Sequence, residues 1–210
     1  MKETTLNFSN IRSGGAKQVA LSFLMEINIE QINNFNILVS QEIYEELELM
    51  NFKFLNSLII FNSSIFKLFS FSLIPQIKNA KLIFTLFGPL YAFTPAKTIT
   101  GFAQSWILIP NNLASKKLPF FIRQLFKFKF FIQLLFFKKD DVLIVETEGG
   151  KKILTDKLKF KSVYVVGNTL NSYFVNVIPE IKSPGRNIKI GVIGKNYPHK
   201  NLSILPYVLD

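Results

Sequence analysis

Apolar runs of strand length alternate with stretches of helical periodicity along most of the chain, and that alternation predicts its class. Residues 6–9 are predicted to be a short strand, followed by a turn at Asn10-Ile11-Arg12-Ser13-Gly14-Gly15. In the predicted helix over 16–28, Val19, Phe23 and Ile27 recur at i, i+4 and i+8, a stripe that can pack on a sheet. A strand over 35–40, a short acidic helix over 42–50, an apolar segment over 54–61 and a helix over 65–74 closed by Pro75 follow. Residues 81–87 are a β-prone apolar run that Gly88-Pro89 stops abruptly. Further strands are predicted over 141–146, 162–166 and 188–193, with a helix over 151–158 and another beginning at 202. Strands and helices alternating at this spacing imply an α/β domain with a mostly parallel sheet covered on both faces.

In open sheets of this kind ligands bind at the carboxyl ends of the strands. Residues 88–106 are therefore expected to form a loop projecting from such an end. That loop carries Gly88, Tyr91, Gln104, Ser105 and Trp106, groups suited to a polar, ring-shaped ligand. The Gly14-Gly15 turn opens a helix whose N-terminus favours an anion. An ordinary tight turn explains the same pair, and the full dinucleotide fingerprint is absent.

Residues 119–138 are the most unusual stretch. As a helix they place Phe121, Leu125, Phe128, Ile132 and Leu135 on one stripe and Arg123, Lys127 and Lys138 on the other side, together with Phe130, Phe131 and Leu134. A basic helix with many exposed aromatics suits the plane of a membrane interface. A core helix with a solvated lysine face fits the pattern equally, and the charges of Arg123, Lys127 and Lys129 oppose a membrane span.

Composition narrows the chemistry. With 49% hydrophobic and 19% charged residues the chain is expected to bury a core. It has no cysteine and one histidine, His199, which excludes disulfides, thiolate metal sites and multi-histidine metal sites. The start lacks the apolar run of a secretory signal, so a cytoplasmic location is expected, peripheral at the inner membrane face if the basic helix docks there. The net charge is +11, yet only Arg12, Arg123 and Arg186 among the 25 basic residues are arginines. Readout of bases and phosphates favours arginine, so nucleic acid is not the expected partner. An anionic membrane surface or a phosphorylated substrate fits better.

Taken together, several segments resemble the family 4 (group 1) glycosyltransferases of bacteria, whose GT-B architecture sets two Rossmann-like domains across a cleft. They are the turn at residues 9–16, residues 85–91, Gly101-Phe102-Ala103-Gln104-Ser105-Trp106 with Pro110, Val145-Glu146-Thr147, Val165-Val166-Gly167-Asn168-Thr169 and His199-Lys200-Asn201-Leu202. The resemblance implies an acceptor-binding domain over 1–178, a linker over 179–187 and, over 188–210, the start of a donor-binding domain. It implies transfer of a sugar from a nucleotide sugar to a cell-surface polysaccharide or lipid-linked acceptor, with no obligatory metal or other cofactor. Gly14 and Gly15 would approach the reacting centre, and Gly88, Tyr91, Gln104 and Trp106 would hold the acceptor. Lys195, where the family usually has arginine, and Lys200 would meet the donor diphosphate. Only 23 residues follow the linker, far fewer than a second domain of about 100 needs. The expectation is then either a truncated, inactive relative or half of a split enzyme whose partner chain supplies the donor domain, and a non-catalytic module docking on a membrane or a partner enzyme is the alternative.

Overall fold

Leu6 and Phe8 are buried at the centre of the molecule because their strand has a parallel neighbour on each side. The computed structural model describes residues 2–167. Its strands are β1 (Thr4–Phe8), β2 (Phe35–Val39), β3 (Leu58–Ile60), β4 (Leu82–Thr85), β5 (Lys97–Gly101), β6 (Val142–Val145) and β7 (Val163–Val165). They form one seven-stranded sheet of order β3-β2-β1-β4-β5-β6-β7, with every neighbouring pair parallel. The expected α/β, Rossmann-like class is therefore the observed one. Strand order reverses between β1 and β4, which creates a crevice at their carboxyl ends.

Helices α1 (Gly15–Glu26), α2 (Ile29–Asn34) and α3 (Gln41–Leu49) connect the first three strands. The buried residues of α1 are Ala20, Leu21 and Leu24, with Ile27 just beyond its end, rather than the expected stripe through Val19. Phe23 stays partly exposed while its ring meets Phe8 and Phe84 at 5.6 and 6.0 Å. The helix also ends sooner than expected. Asn28 accepts from Gln31 N and the Gln31 side chain accepts from Asn28 N, a capping box that starts α2 afresh. Ser40 caps α3 in the same manner, accepting from Ile43 N.

On the opposite face lie α4 (Leu68–Leu73) and α5 (Pro75–Lys78), which bury Phe71 and Ile77 against Leu38 and Ile83. Pro75 opens α5 instead of only closing the helix before it, because the first helical position needs no backbone N–H. The β4–β5 connection is only residues 86–96, with a cis Gly88-Pro89 peptide near its start, and it contains no helix. Eleven residues can span up to about 36 Å, enough to return along a five-residue strand of about 17 Å. This strap buries Leu90, Ala92 and Ala96 in the same cluster as Phe71. Residues 88–106 are thus not one loop. They hold the strap and β5, a Thr-Ile-Thr strand too short and polar to stand out from a loop in the sequence.

After β5 come α6 (Ser105–Leu108), α7 (Leu113–Lys117) and the 18-residue α8 (Phe120–Phe137), then β6, α9 (Glu148–Lys152) and β7. Asn112 caps α7 and Thr147 caps α9. Phe137 is fully buried against Phe102, at 4.7 Å between ring centroids, in a cluster with Leu143, Val145 and Leu154. The expected linker over 179–187, the domain beginning at 188, and Lys195, His199 and Lys200 lie outside the described residues.

Asp140 follows α8 and is tucked against β5. Burial pushes its pKa up to about 7, and the nearby Thr98 and Thr100 hydroxyls offset this only in part. Neither Asp140 Oδ2 nor the Thr100 hydroxyl makes a well-formed hydrogen bond. Because the folded chain keeps a proton that the unfolded chain releases near pH 4, stability falls as pH rises from about 4 to about 7 and stays lower above that. Asp140→Asn is expected to raise stability at pH 8 by about 1–3 kcal/mol and to have little effect at pH 4. Thermal melts of both chains across that range read the slope directly. Equal slopes would show that Asp140 is not the group responsible.

Candidate functional site

Two features stand out, one at the end of β1 and the other beyond the end of β5. At the first, Asn7 joins the two strands of the switch. Its Nδ2 donates to Thr85 Oγ1 at 3.1 Å, and its Oδ1 accepts from the backbone N and the hydroxyl of Ser9. Asn10 Nδ2 donates to the Phe87 carbonyl at 2.5 Å, leaving Asn10 Oδ1 buried without a partner. Arg12 Nη1 donates to Glu42 Oε2 at 2.9 Å and to Asn62 Oδ1, and Nη2 donates to the Ser63 carbonyl. Partial burial alone raises the Glu42 pKa, but the hydrogen bond and charge of Arg12 hold it below its ordinary value. Arg12 is therefore committed to fixing the loop rather than available to a ligand.

The loop so fixed delivers Gly14 and Gly15. Gly14 has φ of 76°, a conformation most residues avoid, and it turns the chain into α1. No side chain caps this helix and its first turn has no acidic residue. A Cβ on Gly15 would meet nothing within 4 Å, so the helix start borders open space. Such an end has N–H groups and a partial positive charge to offer an anion.

The second feature is a cavity of about 380 Å³ beneath α8, two strands along the sheet. Trp106 on α6 lines it. The indole stacks on Phe130 at 5.8 Å and meets Phe126 edge-on at 5.8 Å. Leu134 adds to the apolar wall, and Arg123 and Lys127 reach it from the same helix. Among the described residues neither cation has an ion pair, and Arg123 Nε is buried without a hydrogen-bond partner.

The side of α8 that meets the core is not the expected stripe, although Lys127, Lys129 and Lys138 are exposed as a solvated basic face would have them. Gln133, Phe136 and Phe137 are its buried residues, while Phe130 and Leu134 pack against the core beside the cations. The stripe of Phe121, Leu125 and Phe128 points to solvent, at 84%, 65% and 62% exposure. The helix is apolar all round, so periodicity fixed two faces without saying which meets the sheet. Phe130 and Phe131 both line the cavity, but Phe131 stays exposed while Phe130 is half-buried against the core.

Of the residues expected to hold an acceptor, only Trp106 lines this cavity. Gly88 is packed against Thr100 and Phe137. Tyr91 lies on the strap, where its hydroxyl accepts from Gln133 Nε2 at 3.1 Å and its ring meets Phe136 edge-on. Burial raises the Tyr91 pKa, while the Gln133 hydrogen bond opposes it. The Gln104 carbonyl receives Ile107 N at the start of α6. Among the described residues no cluster of three His, Asp or Glu side chains could hold a metal ion.

One signal in the sequence marks this region. Residues 49–139 contain twelve Lys and Arg and no Asp or Glu, so the positive charge is concentrated rather than spread evenly. The exposed rings of Phe66, Phe69 and Phe93 belong to the same span, with Lys139 Nζ 4.4 Å from the Phe93 ring centroid. Among the described residues no helix is long and apolar enough to cross a membrane. No protein-family model, curated protein or solved structure matches the chain.

Proposed function

We propose that the chain is a glycosyltransferase-type protein whose described part is the acceptor-binding half of a GT-B cleft. The observation that carries this reading is the uncapped Gly14-Gly15 helix start at the β1–β4 switch of an all-parallel sheet. In this reading the helix end and the Asn10 loop face the reacting groups, and the cavity at Trp106 receives part of the acceptor. Lys195 and Lys200 meet the diphosphate of a nucleotide-sugar donor, alone or with a partner chain that completes the donor side. The protein's contribution to catalysis is then positioning and electrostatic stabilisation of the departing diphosphate.

Gly15→Glu tests the assignment. A side chain fits there, and an acid in the first turn stabilises a helix, so the melting temperature should stay level or rise slightly. The new carboxylate repels an anionic substrate, and transfer of labelled sugar from a nucleotide sugar to a lipid extract should fall at least about tenfold, a barrier change of about 1.4 kcal/mol. The assay uses the full chain, with and without a donor-domain partner. Undiminished transfer would remove the helix end from the site, and no transfer to any acceptor by the unaltered pair would count against the whole reading.

A second observation favours membrane docking, either as part of that function or as the sole role of a non-catalytic module. The exposed aromatic stripe of α8 is apolar surface that water solvates poorly, and it lies within the acid-free basic span. An anionic bilayer complements both properties at once.

A further inference from the structure

We infer that the cavity beneath α8 binds a single-chain amphiphile with a phosphate head: the hydrocarbon lies against Trp106, Phe126, Phe130 and Leu134, and the phosphate meets Arg123 and Lys127. This deepens the acceptor reading and rests on it for the ligand's role in transfer, whereas the binding chemistry follows from the cavity itself.

Size is the first argument. A volume of about 380 Å³ falls within the range of about 300–1,000 Å³ usual for small-molecule sites. The second is the character of the wall, where nine of thirteen lining residues are apolar and three of the rings interact with one another. Such a wall gives a free inorganic ion little to hold and favours a hydrocarbon chain.

Charge supplies the third argument. Two cations line a mostly apolar cavity, with Asn111 and Ser115 its other polar residues, without a carboxylate partner among the described residues, and the Arg123 Nε donor is buried and unpaired. A buried donor left unpaired is costly, so an acceptor from the ligand is the natural complement. Arginine and lysine side by side suit phosphate oxygens, the first by its planar fork and the second as a point charge. A neutral amphiphile would fill the cavity but leave Arg123 unsatisfied. The outer face of the same helix carries the exposed stripe, so a ligand drawn from a bilayer has a short route into the cavity.

Trp106 is the only tryptophan in the sequence, so tryptophan emission, excited selectively over the six tyrosines, reports on this cavity. The full chain is titrated with decyl phosphate below its micelle concentration, with decyl maltoside and with inorganic phosphate. Decyl phosphate should give a saturable change in emission, decyl maltoside should bind at least about tenfold more weakly, and inorganic phosphate should give no change. R123Q and K127Q should each weaken decyl phosphate binding about five- to tenfold. K138Q removes the same charge outside the lining and should leave it unchanged. Circular dichroism checks the fold of each variant, and should R123Q unfold, the exposed position K127Q decides. Equal affinity for the maltoside, a response to inorganic phosphate matching that to decyl phosphate, or undiminished binding by the folded variants overturns the inference. Because the titration involves no nucleotide sugar, failure of transfer leaves its result standing, and the reverse also holds.

Discussion

Replacing Phe121, Leu125 and Phe128 together by serine is expected to weaken binding to phosphatidylglycerol-containing vesicles by on the order of 100-fold while the fold persists. Each of these side chains is mostly exposed, so its removal takes little from the core. In a bilayer interface each would bury apolar surface worth about 1 kcal/mol at partial insertion, and three together make about two decades in affinity. Vesicle cosedimentation measures the loss, and a thermal melt shows that the helix is still docked. The contrasting change is Phe130→Ser, which removes the ring stacked on Trp106 and should cost about 2–4 kcal/mol of stability. Neutral phosphatidylcholine vesicles, or raised salt, should weaken binding as well, because the charges of residues 49–139 are then unmatched or screened. Unchanged cosedimentation of the triple variant would rule out the stripe as the docking face.

Gly101→Ala is expected to abolish cooperative folding. The added Cβ would lie 1.7 Å from the Leu86 carbonyl oxygen, a backbone atom that cannot swing aside as a flexible side chain can. Gly101 closes β5 between β4 and β6, and its own carbonyl accepts from Gly88 N at 2.8 Å. Relief of the clash therefore means parting strands at the middle of the sheet, at a cost above about 4 kcal/mol. Gly149→Ala is the matched control. It sits in α9 with nothing within 4 Å of an added Cβ, and should stabilise the chain by about 0.5–1 kcal/mol. A Gly101→Ala chain that melts like the parent would show that Leu86 and β5 do not approach so closely.

These two experiments probe different kinds of information. The exposure of α8 was partly legible: its length, its aromatics and its charges were all visible, and so was the stripe. The closeness of Gly101 to Leu86 was not, because a short sequence of threonines and one isoleucine inside an expected loop gave little sign of a central strand. Nor was the position of Tyr91 visible. It follows Gly88-Pro89 by two residues, yet the strap carries it down the sheet onto Gln133 and Phe136. Gly14 and Gly15 stand where the sequence put them, at the end of β1, because a strand followed by a glycine turn and a helix is a local unit.

Local rules explain what the sequence determined alone. Apolar runs set β1, β2, β4 and β6, side-chain caps and glycines set most helix starts, and their alternation set a parallel, doubly wound sheet. The tertiary structure decided the rest. It chose which side of a largely apolar helix meets the sheet, and so set half-buried Arg123 and exposed Lys127 at the wall of a cavity and Phe121, Leu125 and Phe128 on the open surface. Periodicity fixes angles around a helix axis, but only packing against Phe102, Leu143 and Trp106 fixes the direction in which that axis is turned.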